Sequence, residues 1–206
     1  MKRYFITGIS TDVGKTFCSA VLVQALQADY WKPVQTGNTD GTDNGIIQQL
    51  ITNDVSVIHK EIYSYEKPAS PHIAAFYEDE SISLEKIVLP KSNNKNLIIE
   101  GAGGLLVPLN NKEFIIDLVK HLDSEIILVV REYLGCINHS LLSIDYIVKN
   151  KFPFKGIILN GNFHPLAEKS ITEYAKVPVI AKFPELNGVS KQIVSELAAQ
   201  IDLNLF

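Results

Sequence analysis

The sequence predicts an α/β domain with a mostly parallel sheet and helices on both faces. Short β-rich runs alternate along the chain with segments of helical periodicity. Several of those runs are apolar on both faces, as strands buried inside a parallel sheet are. The 206 residues suffice for a substantial core, and no repeat or linker divides them, so residues 1–206 are expected to form a single domain.

Taken in order, residues 3–7 form the first expected strand, and a helix is expected over 16–28 after a glycine loop. A second strand is expected over 30–34. Residues 41–90 are the least regular part and are expected to form an insertion of helices over one side of the sheet. Strands follow at 97–100, 125–130, 155–159 and 177–181. The helices between and after them are expected at 113–121, 136–149, 166–175 and 189–201; Ile137, Leu141, Ile144 and Val148 give the second of these its helical spacing.

Composition narrows the function. The net charge is −4, and no Lys/Arg block stands out, so a nucleic-acid partner is not expected. No run approaches the roughly 20 apolar residues of a membrane span, and the N-terminal apolar stretch is too short for a signal peptide. Cys18 and Cys136 do not make a disulfide framework. The expectation is a cytoplasmic protein with reduced thiols. The five histidines lack zinc-ligand spacing.

The loop reads Gly8-Ile9-Ser10-Thr11-Asp12-Val13-Gly14-Lys15-Thr16. A loop between a strand and a helix start can turn backbone N–H groups toward phosphate oxygens, and the helix adds its positive end. Lys15 can reach the β- and γ-phosphates, and the Thr16 hydroxyl can ligate Mg²⁺. Five residues separate the glycines, where the common form has four.

Ligands of open parallel sheets collect at the carboxyl ends of strands, so the other strand ends are informative. The second offers Lys32, readable as a surface lysine or as a second cation for a transferring phosphoryl group, and then Thr36-Gly37. The polar cluster Asp40-Gly41-Thr42-Asp43-Asn44 follows; a lone Asp43 reads more simply as a helix cap than as a Mg²⁺ ligand. The third strand ends in Glu100, behind three apolar residues and ahead of Gly101-Ala102-Gly103-Gly104. Phosphate-loop enzymes place the acid that holds Mg²⁺ or its water there. After the fourth strand, Gly135-Cys136-Ile137-Asn138-His139 turns into a helix start able to meet an anion such as a carboxylate. Spacing supplies no carboxylate partner for a Cys136–His139 catalytic thiol.

Together these pieces resemble the dethiobiotin synthetase family, a group of phosphate-loop (P-loop NTPase-like) enzymes. The matching stretches are the Tyr4–Gly8 run YFITG, the loop TDVGKT from Thr11, Lys32-Pro33-Val34, Ser70-Pro71-His72-Ile73, EGAGG from Glu100 and LGCINH from Leu134, in the family's order over residues 3 to about 185. The five-residue loop is the family's normal form. The resemblance implies an ATP- and Mg²⁺-dependent cyclo-ligase acting on 7,8-diaminononanoate and CO₂ (or bicarbonate) in biotin biosynthesis. One amine takes up CO₂ as a carbamate, the carbamate attacks the γ-phosphate, and the second amine closes the ring on the carbamic–phosphoric anhydride.

Residue by residue, the resemblance implies that Asp12, Val13, Gly14, Lys15, Thr16 and Phe17 cradle the phosphates. Thr16, Asp43 and Glu100 would hold Mg²⁺. Lys32, Lys15 and Thr11 would be catalytic, with Lys32 on the carbamate and the developing charge. Thr11 and Thr36 would contact the diamine or the carbamate, Gly103 and Gly104 would line the diamine site, and Gly101, Ala102 and Gly103 would adjoin the nucleotide. Cys136, Ile137 and Asn138 would receive the substrate carboxylate across a homodimer interface. Asn160 and Pro184 match positions near the adenine. Against the family pattern, Asp12 stands where Glu is common, Thr36 replaces Ser, and Tyr133 stands where Lys often precedes Leu-Gly-Cys. The segment after Pro184 is short, which implies weak discrimination among ATP, CTP and GTP. Two other readings share the fold. Partition-type ATPases usually carry a lysine near the loop start, where this chain has Gly8-Ile9-Ser10. Amidoligases of cobalamin synthesis normally carry an added glutaminase domain.

Overall fold

The computed structural model describes residues 1–39 and 41–206; Asp40 lies outside them. A seven-stranded sheet forms the centre. Its strands are β1 (Lys2–Gly8), β2 (Asp29–Trp31), β4 (Ile58–His59), β6 (Asn96–Gly104), β7 (Glu125–Arg131), β8 (Phe154–Asn160) and β9 (Val179–Phe183), in the order β4-β2-β6-β1-β7-β8-β9. Every pairing within it is parallel. β1 sits in the middle, between β6 and β7. The chain runs from β1 outward to β2 and β4 on the β6 side, and later to β7, β8 and β9 on the other, so the crevice at the carboxyl end of β1 is the natural ligand position of an open α/β sheet.

The period of two along the strands divides the core. Phe5, Trp31, Leu97, Ile99, Leu128 and Leu159 face one side; Tyr4, Ile6, Tyr30, Ile98, Ile127 and Ile158 face the other. The second side is covered by α1 (Lys15–Leu26) and α7 (Lys191–Ala198) with α2 (Asp43–Leu50), through Val21, Leu22, Val194 and Ile47. Ile144 and Ile147 of α5 (Cys136–Lys149) and Ile171 of α6 (Pro165–Ala175) cover the first, with Leu118 of α4 (Asp117–His121) and Ala74 of α3 (Pro71–Tyr77). Helices thus lie on both faces, as expected. Buried side chains run from Cys18 to Val23 of α1 without a polar stripe, which fits a helix enclosed on several sides.

Several expectations are corrected. The run 30–34 is not one strand. Pro33 lacks the N–H that a central ladder needs, so the chain breaks after Trp31. It resumes as β3 (Val34–Thr36), which pairs in a separate two-stranded sheet with β5 (Tyr63–Tyr65). The Pro33 carbonyl accepts from the Ile62 and Tyr63 amides at 2.9 and 3.0 Å, fixing the break that carries Lys32. Residues 41–90 are not only helices: β4 extends the main sheet beyond β2, and β5 pairs with β3. The expected helix 113–121 starts only at Asp117. Phe114 bridges Pro108 antiparallel, and its amide donates to the Asp117 carboxylate at 2.8 Å. The third strand runs four residues past Glu100, to Gly104.

Candidate active site

The loop from Gly8 enters α1 through two left-handed residues, Asp12 at φ 56° and Gly14 at φ 88°. Such alternation belongs to backbone nests that bind anions. Gly14 is needed twice over. Its φ disfavours a side chain, and a Cβ there would collide with the Asn160 amide. That amide donates to the Val13 carbonyl at 2.9 Å, tying the end of β8 to the loop. Val13 itself is buried against Gly8. Lys15 folds back over its loop and donates to the Ser10 carbonyl at 3.2 Å.

A cleft of about 890 Å³ opens beside this loop. Thr11, Asp12, Gly14, Lys15 and Thr16 line it from the loop. From the other strand ends come Lys32, Thr36, Glu100, Ala102 and Gly103, and from the start of α2 comes Asp43, with Arg131 at the rim. Ser70 and Pro71, at the start of α3, form part of the opposite wall, and Ile46 and Val107 add apolar surface.

A compact charged cluster lies at its floor. The Thr16 hydroxyl is 2.6 Å from Asp43 Oδ1 and 2.9 Å from Glu100 Oε1. Lys32 Nζ donates to Asp43 Oδ2 and lies 3.4 Å from Glu100 Oε1. Glu100 Oε2 accepts from Ser19 at 2.8 Å and from Tyr30 at 2.9 Å. Asp43 is not the cap of α2. Thr42 fills that role, accepting from the Gly45 amide at 3.3 Å, and this leaves the Asp43 carboxylate to the cleft. Nor is Lys32 a surface lysine; it is 7% exposed.

Burial penalises these charges, and their neighbours decide the outcome. For Lys32, burial pulls the pKa down, but Glu100 and Asp43 outweigh it and hold the ammonium above its ordinary value. For Asp43, burial pushes up, and Lys32 with the Thr16 hydroxyl brings the carboxyl below its usual range. Lys15 is lowered, by burial first and by Lys32 second, against the pull of Glu100.

The donor set suits a hard cation. Thr16 has one hydroxyl hydrogen and stands within bonding distance of two carboxylates, so one of these contacts brings lone pair to lone pair. A divalent cation taking oxygen ligands would relieve that. Among the described residues no three His, Cys, Asp or Glu gather as a metal site, so protein ligands here would be two carboxylates and a hydroxyl. Such a count suits Mg²⁺, which keeps several waters and takes phosphate oxygens.

Phe17, Asn160 and Pro184 line a second, smaller cleft of about 110 Å³, with Gly14, Arg131, Glu185 and Leu186. The two clefts therefore meet across the loop. Other sequence-derived candidates lie elsewhere. Gly101 faces the core, where a Cβ would sit 2.9 Å from the Phe5 ring. Gly104 pairs with Gly8, and Gly103 takes φ 72° with Thr11 Oγ1 beside it. Cys136, Ile137 and Asn138 begin α5 outside both clefts. Cys136 is buried, and His139 Nδ1 lies 2.8 Å from the Tyr133 hydroxyl.

Sequence reasoning missed Ser19, Tyr30, Gln35, Arg131 and Glu185. Two of these carried a signal. Ser19 is one helical turn beyond Thr16, and Tyr30 is two residues before Lys32, so each shares a face with a residue already singled out. Gln35 is buried and accepts from the Asp43 amide at 3.3 Å.

A family model described as an AAA domain matches residues 2–192. The ATP-dependent dethiobiotin synthetase BioD of Cytophaga hutchinsonii is 44% identical over 98% of this chain and 97% of its own length. Its namesake from Christiangramia forsetii is 44% identical over 96% of this chain and 94% of its own length. Among solved structures, a ParA family ATPase from Chlorobium tepidum superposes with a TM-score of 0.60 at 15% identity, covering 98% of this chain and 100% of that one. At that identity the likeness is one of fold.

Proposed function

The chain belongs to the ATP-dependent dethiobiotin synthetase family, and from that premise we propose how its residues divide the work. It is a ligase of biotin biosynthesis that forms a C–N bond. Its substrates are 7,8-diaminononanoate, CO₂ and ATP, and residues 1–206 act as a single catalytic domain. The observation that carries the assignment of roles is the meeting of Lys15, Thr16, Lys32, Asp43 and Glu100 at one cleft beside the phosphate loop.

The backbone from Asp12 to Phe17 cradles the triphosphate, with Lys15 reaching its β- and γ-phosphates. Thr16, Asp43 and Glu100 would hold Mg²⁺, which would supply charge neutralisation for the triphosphate. Ser19 and Tyr30 fix Glu100 by taking one carboxylate oxygen and leaving the other to the cleft. One diamine nitrogen and CO₂ give a carbamate and a proton. A carbamate oxygen attacks the γ-phosphorus and ADP leaves. The second amine then attacks the carbonyl of the mixed anhydride, the ring closes, and phosphate leaves.

Two anions must meet for the phosphoryl step, and Lys32 answers that need. Its ammonium is kept charged by Glu100 and Asp43 and is held without further reorganisation where charge develops. Thr11 and Thr36 line the same cleft and contact the carbamate or the diamine. Gly103 and Gly104 let the backbone approach the diamine, with Ala102 and Val107 as apolar wall. The substrate carboxylate is received by Cys136, Ile137 and Asn138 of a second copy. Leu134, Ile137 and Leu142 are exposed apolar residues around the start of α5 and support a homodimer through this region. Asn160 and Pro184 meet the base. No helix among the described residues is long and apolar enough to cross a membrane.

Isotope transfer tests the phosphoryl step. CO₂ labelled with heavy oxygen, added to enzyme, diamine and Mg-ATP and quenched within seconds, is expected to leave label in the released phosphate. Unlabelled phosphate formed alongside labelled dethiobiotin would contradict carbamate attack on ATP.

A further inference from the structure

Arg131 ends β7 and stands on the boundary between the two clefts, lining both. One guanidinium nitrogen lies 3.5 Å from the Asp12 carbonyl of the phosphate loop; the other donates to Glu185 Oε1 at 2.6 Å. Glu185 follows Pro184, so the pair crosses from the loop to the segment on the far side of the groove. A nucleotide with its phosphates on the loop and its base beside Asn160 and Pro184 passes this point.

Charge in the main cleft points to a use for that cation. Among the described residues, Asp12, Asp43 and Glu100 line it, against Lys15, Lys32 and Arg131. Without Arg131 the acids outnumber the bases, in a site that takes a polyanion. Lys32 is committed to two buried carboxylates, and Lys15 is buried with its ammonium on Ser10. Arg131 differs: its side chain is 41% exposed and that of Glu185 47% exposed. An ion pair so open to water is weak, whereas a guanidinium binds phosphate oxygens through two parallel N–H donors. An incoming phosphate is therefore a better partner for Arg131 than Glu185 is.

We propose that Arg131 is an additional nucleotide-binding residue of this enzyme, a phosphate clamp that Glu185 holds in place over the loop and releases when nucleotide arrives. This rests on the nucleotide site assigned above. Arg131 closes over the phosphates from the side opposite the carboxylate cluster. Glu185 competes for the guanidinium in the empty enzyme, so the two residues have opposite effects on affinity.

Calorimetric binding of a non-hydrolysable ATP analogue with Mg²⁺ tests this on the full chain, at low and high salt. Arg131→Gln is expected to weaken binding about tenfold at low salt, less at high salt, with Arg131→Lys in between. Glu185→Gln is expected to bind as tightly as the parent or more so. Thermal unfolding of each variant checks that it is folded, and Arg131→Lys keeps the charge if Arg131→Gln is not. Equal losses for Arg131→Gln and Glu185→Gln would mean that the pair is only a structural strap and would overturn the clamp, as would an unchanged affinity for Arg131→Gln. A parent enzyme that binds no analogue would overturn the nucleotide site itself, and the clamp with it.

Discussion

Lys32 Nζ lies 3.4 Å from Glu100 Oε1, on the carboxylate oxygen that the Thr16 hydroxyl also meets. One buried acid thus touches both the lysine assigned to the reacting carbamate and the hydroxyl assigned to the metal. Pro33 is the reason that this is possible. By ending β2 it lets Lys32 leave the ladder and turn across β6 toward Glu100.

Replacement of Lys32 by Gln removes the charge and keeps most of the side-chain length. A cation that acts on developing charge is worth about 3 to 4 kcal/mol, or a factor of 10² to 10³ in kcat. Steady-state kinetics should show kcat and kcat/KM falling together, with the diamine KM little changed. A rise confined to the diamine KM would assign Lys32 to ground-state binding.

Tyr30→Phe and Ser19→Ala each remove one hydrogen bond to ionised Glu100, a contact of roughly 1.5–3 kcal/mol. If the two hydroxyls orient a metal ligand, each variant needs more Mg²⁺ for half-maximal activity, by severalfold, while saturating Mg²⁺ restores most of kcat. An unaltered Mg²⁺ titration would separate Glu100 from the metal.

The Lys32–Asp43 pair gives a pH signature in stability. Asp43 is held below its ordinary pKa, so its contribution is present above the unfolded value of about 3.9 and is lost as pH falls through the folded one. Lys32 is held above its ordinary value, so its contribution is full below about 10.4 and is lost as pH rises through the folded one. Urea unfolding of the parent and of Lys32→Met/Asp43→Asn should differ by a constant amount between about pH 5 and 9. The pair's own contribution should fade at the acid end and again at strongly alkaline pH. A difference that changed steeply near neutrality would point to another group.

The cleft proposed to take the base is small, about 110 Å³, and Phe17, Pro184, Leu186 and Val189 line it together with Gly14, Asn160, Arg131 and Glu185. Values of kcat/KM for ATP, CTP and GTP should lie within about tenfold, since packing alone discriminates by only 10–200-fold per group at best. A ratio of thousands in favour of ATP would reveal hydrogen-bond readout of adenine.

Local patterns made part of this legible in the sequence. The glycine loop names Lys15 and Thr16, and Glu100 stands out as a carboxylate after three buried apolar residues. The strand–helix alternation gives the fold. Long-range pairings were not legible: Arg131 meets Glu185 across 54 positions, and neither sits in a pattern that points to the other. Asp43 illustrates a local ambiguity, because the capping role fell to the neighbouring Thr42. Pro33 carried its signal openly; the apolar residues around it masked the break between β2 and β3.

The most direct test of ring closure follows two products at once. Purified protein is mixed with 7,8-diaminononanoate, bicarbonate, Mg²⁺ and ATP, and both phosphate release and product mass are measured. A product heavier than the diamine by CO₂ less one water, formed in step with phosphate, is the predicted result. ATP hydrolysis indifferent to the diamine, with no such product, would contradict it.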